Sequence, residues 1–141
     1  MHLSASNPQL NSALNPSLNS SINPQLNSAI NPQLNSSLNP QLNSAINPTL
    51  NSAINPTRSP WSGFYVFNLD GELQGLAVWA KAGMLLSFMA NGKWAGYIIA
   101  NGAGGFNQFD LQGNWIGYLV SNSGKGYNFF NVDGAWGGYM N

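Results

Sequence analysis

Hydrophobic and polar positions repeat with two different periods along this chain. From Asn7 to Asn55 an asparagine falls at every fourth position, and a leucine or isoleucine follows three residues later. The residue after each asparagine alternates between proline and serine, which gives the octad Asn-Pro-x-Leu-Asn-Ser-x-Ile. From Gly63 to the C-terminus, aromatic residues and glycines recur every 21 residues instead. We therefore divide the chain into a tail (1–6), an octad arm (7–57), a hinge or cap (58–62) and a four-copy repeat domain (63–141).

Proline excludes both an α-helix and a long central strand for the arm. Seven prolines, from Pro8 to Pro56, would each cost about 3 kcal/mol inside a helix, and each would remove a ladder donor from a strand. Asn-Pro and Asn-Ser favour turns because the asparagine side chain can bond its own backbone two residues on. We predict a stack of short turns or a very narrow solenoid, with its aliphatic residues on one seam and its asparagines in ladders. A flexible linker is the alternative.

A seam of this kind is too thin to bury itself, because ordering the backbone costs roughly 1–2 kcal/mol per residue. It needs a partner, which is either another copy of the chain or the rest of the same chain. The candidate self-association residues are the twelve aliphatic positions of the arm: Leu10, Leu14, Leu18, Ile22, Leu26, Ile30, Leu34, Leu38, Leu42, Ile46, Leu50 and Ile54.

The 21-residue repeat follows the consensus Phe-x-x-x-Gly-x-Trp-x-Gly-Tyr, and leucines replace its last two aromatic residues in the first copy. Asp70-Gly71, Asn91-Gly92 and Asp133-Gly134 are dipeptides that tight hairpin turns prefer. The flanking runs are aromatic or β-branched, as strands prefer. We predict an all-β fold of about eight antiparallel strands in a meander, either an open sheet or solenoid or a small closed barrel.

Composition excludes several classes of function. There is no cysteine, so a disulfide scaffold, a thiolate metal site and a cysteine nucleophile are absent. Four Lys and Arg against four Asp and Glu leave no basic surface for nucleic acid. No apolar run is long enough for a transmembrane helix, and the first residues do not form a secretory signal. The expected location is therefore the cytoplasm, unless the protein is a fibre released by lysis or non-classical export.

The residues that could carry catalysis are few. His2 is the only histidine, and the carboxylates are Asp70, Glu72, Asp110 and Asp133. Asp70 and Asp133 occupy the turn register, where the side chain has a structural role. Asp70 and Glu72 flank an exposed hairpin tip rather than a cleft, and the sequence around them lacks the ligand spacing of a calcium loop. We predict no enzymatic activity, no metal site and no cofactor.

The aromatic residues are the remaining candidates for binding, and all 17 lie after residue 60. Strand alternation places the repeated tryptophans on one face of the meander and the repeated tyrosines on the other. The structural interpretation is that each tryptophan covers a bare glycine of a neighbouring strand. The functional interpretation is a ladder of aromatic platforms for sugar rings or quaternary ammonium groups.

The segment from Phe109 through Gly113, Trp115 and Tyr118 to Gly124 resembles the choline-binding repeats and the related cell-wall and glycan-binding repeats of clostridial toxins. That resemblance implies a hairpin solenoid in which aromatic side chains of adjacent copies bind choline or sugars. The implied ligand residues are Trp94, Tyr97, Trp115, Tyr118, Trp136 and Tyr139. This chain departs from the pattern in carrying a glycine directly before each tyrosine, where those repeats have an aromatic residue.

The segment from Trp115 and Gly117 through Gly124 to Asp133-Gly134 is also similar to membrane-occupation-and-recognition-nexus repeats. Those repeats are hairpin scaffolds used in assembly and membrane association. The copies here have a shorter period and lack the acidic and basic residues of that family.

Both halves of the chain have an unusually uncharged surface, since only eight residues are charged and all of them lie from Arg58 onward. Small soluble domains usually have a surface that is roughly 25–35% charged, so a partner is expected to cover part of this one. We expect a non-enzymatic structural protein that self-assembles into a fibre, filament or closed oligomer. The alternative is a carbohydrate-binding or adhesive module that uses the Trp and Tyr rows.

Overall fold

The computed structural model describes residues 7–9 and 11–141, and it confirms the all-β prediction. Eight antiparallel strands close into a barrel in sequence order, each paired with its neighbours in the chain. The strands are β1 (Gly63–Asn68), β2 (Leu73–Lys81), β3 (Met84–Met89), β4 (Trp94–Ala100), β5 (Phe106–Asp110), β6 (Trp115–Ser121), β7 (Tyr127–Asn131) and β8 (Trp136–Met140).

Pairing of the first and last strands closes the barrel, which decides between the alternatives that the sequence left open. Val66 lies opposite Met140 and Phe67 lies opposite Tyr139 in an antiparallel register. Tyr65 and Asn141 exchange two backbone hydrogen bonds of 2.9 and 3.0 Å at the end of this pair. Closure leaves no unpaired strand edge in the barrel.

Each of the four hairpins that lie within a copy contains a β-bulge, and the bulge explains the glycine that precedes each tyrosine. In the third copy, Phe109 pairs with Trp115 whereas Gln108 pairs with Gly117, so Ile116 is the extra residue. A Cβ on Gly117 would lie 2.4 Å from the backbone oxygen of Phe130 on the next strand. Only glycine therefore permits this approach. The extra residue at the matching place in the other copies is Gln74, Ala95 or Gly137.

The arm is a succession of turns, as predicted. Its Asn-Ser units form single 3₁₀ turns, which are Ser12–Leu14, Ser20–Ile22, Ser28–Ile30, Ser36–Leu38, Ser44–Ile46 and Ser52–Ile54. The asparagine before each turn accepts a hydrogen bond from the backbone N–H two residues on, as Asn43 does from Ala45 at 3.1 Å.

The same asparagines also join successive turns along the arm. Asn43 Nδ2 donates to the Ser37 carbonyl at 3.1 Å, and Asn47 Nδ2 donates to the Pro40 carbonyl at 3.1 Å. Each of these bonds reaches back six or seven residues, so it links one octad to the one before. The expected asparagine ladders are thus replaced by bonds from asparagine side chains to backbone carbonyls.

The arm packs along the outside of the barrel. Gln9 Nε2 donates to the Gly134 carbonyl in the β7–β8 turn, whereas Ile46 is buried among residues of β2 to β5. Near the middle of the arm, Asn107 of β5 donates to the Ile22 carbonyl at 3.0 Å. The arm thereby covers an apolar outer face of the sheet that would otherwise contact water.

The single aliphatic seam expected from the sequence is wrong, because the octad places its two aliphatic residues in different environments. Aliphatic residues of the Asn-Ser units lie against the barrel: Ile22 and Ile46 are buried, and Leu14, Leu38 and Ile54 pack on its apolar clusters. The leucines of the Asn-Pro units, within the residues that the structure describes, face solvent. Two four-residue turns make up each octad, so successive aliphatic residues project in different directions.

Candidate functional site

The repeated tyrosines are packed against phenylalanines of the next copy rather than presented to solvent. Their rings stack with centroid distances of 5.6 Å for Tyr97 and Phe109, 5.6 Å for Tyr118 and Phe130, and 5.1 Å for Tyr139 and Phe67. The last pair crosses the β1–β8 closure. Tyr97 and Tyr118 are buried, and Tyr139 is half-buried.

The repeated tryptophans stabilise the bulges through side-chain hydrogen bonds. Trp94, Trp115 and Trp136 each donate a hydrogen bond from Nε1 to the backbone carbonyl of the glycine two residues on, at 2.8 to 3.0 Å. Each tryptophan thus has a structural role within its own strand, which was not predicted from the sequence. Trp94 and Trp115 are half-buried, whereas Trp136 is 53% exposed.

One row of apolar side chains on the arm is uncovered. Five leucines, which we call the leucine row, are each 68–71% exposed: Leu18, Leu26, Leu34, Leu42 and Leu50. They occupy equivalent places in successive octads, so they lie in line along the arm. Leu10 would continue the row but falls outside the described residues. Ile30, the remaining aliphatic candidate, is half-buried.

Two buried tyrosine hydroxyls lie close to hairpin turns. The Tyr97 and Tyr118 hydroxyls and Asn107 Oδ1 have no hydrogen-bond partner among the described residues. Burial, followed by the nearby Asp110 carboxylate, raises the pKa of Tyr97 to about 12, and burial also raises the pKa of Tyr118. Both hydroxyls are therefore neutral at physiological pH.

A polar groove lies where the arm meets the β5–β6 hairpin. It has a volume of about 350 Å³. Trp115 and Phe109 line it from the barrel, and the amide side chains of Gln25, Asn31 and Gln33 line it from the arm. Gln33 Nε2 also donates to the Gly113 carbonyl at 3.0 Å, which fixes one wall.

A cavity of about 280 Å³ opens at the hairpin end of the barrel interior. Its lining includes Ser87 and Gln108 together with the apolar side chains of Ile98, Leu119 and Phe129. No feature of the sequence alone predicts this cavity, because it depends on barrel closure.

The carboxylates take part in turn structure at different positions from those expected. Asp110 accepts hydrogen bonds from the backbone N–H groups of Gln112 and Asn114, both at 2.9 Å, and Asn68 and Asn131 do the same in their hairpins. Asp70 and Asp133 are exposed at the turn tips instead. The predicted hairpin turns are present, and only the glycine after each tip adopts positive φ, as at Gly71 with φ 79°, so they are not type I′ turns, in which both central residues have positive φ.

The remaining chemistry-bearing residues form no cluster in the part of the chain that the structure describes. Within residues 7–9 and 11–141, no three acidic or histidine side chains come together as a group that could hold a metal ion. His2 lies outside those residues. Among the described helical turns, none is long and apolar enough to cross a membrane.

Comparisons of this chain with protein-family models, with curated proteins and with solved structures gave no match. The resemblance to hairpin-repeat families therefore remains a prediction that rests on the residues named above.

Proposed function

We propose that this protein is a non-enzymatic structural protein that associates with copies of itself through the leucine row. The carrying observation is five leucines in line, each about 70% exposed, on an arm that has no charged residue. Monomeric soluble proteins rarely leave a contiguous apolar surface uncovered. A second copy is the partner that fits, because its own row has the same spacing and the same lack of charge.

The free energies involved indicate that this association depends on protein concentration. Burying the exposed part of one leucine contributes roughly 1–2 kcal/mol, so a pair of rows that covers ten leucines contributes roughly 10–20 kcal/mol at most. Association costs about 4–15 kcal/mol in lost freedom of the two partners. The ranges of this gain and this cost overlap, and we expect assembly to strengthen with concentration. A two-fold pairing of rows gives a closed dimer, whereas an offset pairing extends into a filament.

The test compares leucine variants with matched variants on the same arm. Changing Leu26, Leu34 and Leu42 together to serine removes the three central leucines of the row and should leave a 15.1 kDa monomer at every concentration. Changing Ala29, Ala45 and Ala53 to serine is the control, because these side chains are also exposed and other octads of the arm already have Ser at this position. Particle mass by light scattering, with negative-stain imaging, is the measurement.

Two outcomes would count against self-assembly. One is a wild-type protein that stays monomeric at the highest soluble concentration. The other is a leucine variant that forms the same particles as the wild type. Equal disruption by the alanine-to-serine control would locate the interface elsewhere on the arm.

We propose carbohydrate binding as a second candidate, supported by the groove beside Trp115. Indole faces and neutral amides that both donate and accept hydrogen bonds suit a ring bearing hydroxyl groups. The proposal is narrower than the sequence-based one, since Tyr97 and Tyr118 are buried in stacks. Gln25→Ala should weaken binding on a glycan array at least several-fold while leaving the circular dichroism unchanged, and Gln112→Ala at an exposed turn is the control. An array on which the wild-type protein binds nothing would remove this candidate.

A further inference from the structure

The barrel interior is closed at one end by a ring of aromatic side chains. Four side chains form the ring, and each contacts the next with a centroid distance of 5.0 to 6.2 Å. Their order around the ring is Phe64, Trp79, Phe106 and Tyr127, and Tyr127 contacts Phe64. Each lies near the inter-copy loops or the chain ends rather than the tight hairpins. The interior is therefore a cup with an aromatic floor rather than an open tube.

Above this floor the interior is filled by one apolar layer and then opens. Ala77, Ile98, Leu119 and Met140 are equivalent residues of the four copies and are all buried. The next equivalent set toward the hairpins is mixed in size and polarity: Val66, Ser87, Gln108 and Phe129, and all four line the cavity. Three of the four extra bulge residues line the mouth of the cavity, and two of them, Ala95 and Gly137, are small; the third is Gln74.

Two polar side chains at the mouth of the cavity are positioned to form hydrogen bonds with a ligand. Ser87 is only 8% exposed, and Gln108 is half-buried. Neither side chain has a hydrogen-bond partner among the described residues. Neither group is among the buried polar atoms that lack a partner, so both side chains reach the open cavity, where water or a bound molecule can form hydrogen bonds with them.

Charge and size define the class of molecule. Among residues 7–9 and 11–141, no acidic or basic side chain lines the cavity. An ion would therefore lose its hydration without gaining an opposite charge, which excludes charged ligands on energetic grounds. A volume of about 280 Å³ corresponds to roughly nine water-sized groups at about 30 Å³ each. That is near the lower end of the range for small-molecule sites.

We propose that the barrel mouth binds a small uncharged molecule that carries one ring or a short apolar chain and one hydroxyl or amide group. The apolar part lies on Ile98, Leu119 and Phe129, and the polar part bonds Gln108 and Ser87. This site lies inside the barrel, so it is independent of the leucine row on the arm. It is also separate from the groove beside Trp115.

Benzyl alcohol and benzoate are the matched probes, because they share a ring and differ in charge. We expect benzyl alcohol to shift the amide resonances of Ser87, Ala95 and Gln108 saturably in the full-length protein, and benzoate to bind at least tenfold more weakly. Gln108→Leu keeps the side-chain size and removes the amide, so it should weaken benzyl alcohol binding about fivefold. Gln112→Leu, at an exposed turn position outside the cavity, should leave the affinity unchanged.

Filling the cavity gives an independent test. Ser87→Phe places a ring where the probe would bind, and it should abolish the shifts in a protein that keeps its dispersed spectrum. Should this variant fail to fold, the comparison of Gln108→Leu with Gln112→Leu decides by itself. The proposal is overturned by any of three results: no saturable shift at the mouth, equal affinity for benzoate, or equal weakening by both glutamine variants.

Discussion

At the residue scale, asparagine and tryptophan side chains form hydrogen bonds where the backbone does not form a regular ladder. Proline prevents the arm from forming a continuous ladder, and asparagine supplies the missing links by accepting locally and donating to the preceding octad. In the barrel, the bulge disrupts the ladder and the tryptophan Nε1–H bonds a glycine carbonyl beside it. Polar atoms that look suited to ligands in the sequence are thus largely used inside the fold.

The buried tyrosine hydroxyls lead to a prediction about alkaline stability. Tyr97 keeps its proton in the folded state up to a pKa of about 12, whereas an unfolded chain loses it near pH 10. The unfolded state therefore binds fewer protons between these values, and the free energy of unfolding falls as pH rises from 10 to 12. Stability is unaffected by this group below pH 10. Tyr97→Phe should remove about 1 kcal/mol of the loss between pH 8 and pH 11, measured by urea unfolding.

At pH 8 the Tyr97→Phe variant should be at least as stable as the wild type, because the substitution removes a buried hydroxyl that has no partner among the described residues. Tyr65→Phe is the control, since this side chain is exposed. An alkaline loss that is as large in Tyr97→Phe as in the wild type would contradict the assigned pKa. A large loss of stability at pH 8 would mean that the hydroxyl has a partner in solution.

At the element scale, the hairpins were predictable and their internal geometry was not. The 21-residue period and the turn glycines determine eight strands, because each copy carries one strand on either side of its turn. The bulges are harder to predict, since a glycine within a strand indicates either a bulge or a close approach, and here it is both. The sequence also did not reveal the capping residues Asn68, Asp110 and Asn131, which stand two residues before the turn tips.

For the arm, the turns were predictable because asparagine and proline have strong local preferences. The environments of its aliphatic residues were not, since they depend on how the arm lies on the barrel. Leu26 and Ile30 occupy equivalent places in a four-residue pattern, yet Leu26 is exposed and Ile30 is half-buried. The distinction follows the proline and serine alternation, which is the one sequence signal that could have separated the two sets. The leucine row and the barrel-mouth cavity are both consequences of tertiary packing.

At the scale of the whole molecule, a nearly periodic arm is matched to a four-copy barrel. The arm is tied to β1 through residues 58–62, so its C-terminal octads have a fixed place on the barrel. Its hydrogen bonds to the barrel are of two kinds: Asn107 of the barrel donates to the arm carbonyl of Ile22, whereas Gln33 of the arm donates to the barrel carbonyl of Gly113. Backbone carbonyls recur in every octad, and glutamine recurs in four of the six complete octads between residues 7 and 54. The octads should therefore be largely interchangeable along the barrel surface.

Interchangeability gives a prediction that compares two deletions of eight residues. Removing residues 24–31 shifts the preceding octads forward by one place, so Leu14 takes the position of Ile22 and the arm loses its outermost contact. Removing residues 8–15 shortens the arm by the same length and leaves Ile22 in place. Both variants retain equally many octads, and both lose the cover over Tyr118 and Phe130 that Leu14 provides. We expect them to lose similar stability, about 2–3 kcal/mol, and to agree within about 1 kcal/mol by urea unfolding.

The comparison distinguishes two descriptions of the molecule. Agreement between the deletions means that the barrel recognises a repeating backbone, so the arm length can change by whole octads without loss of the fold. A much larger loss on removing residues 24–31 would mean that individual side chains, Ile22 above all, are fitted to their places on the barrel. Removing four residues, 24–27, is the phase control, because it exchanges the proline and serine units of every octad before Ser28. That variant should be the least stable of the three, since it turns the exposed leucines toward the barrel and the barrel-facing aliphatic residues toward solvent.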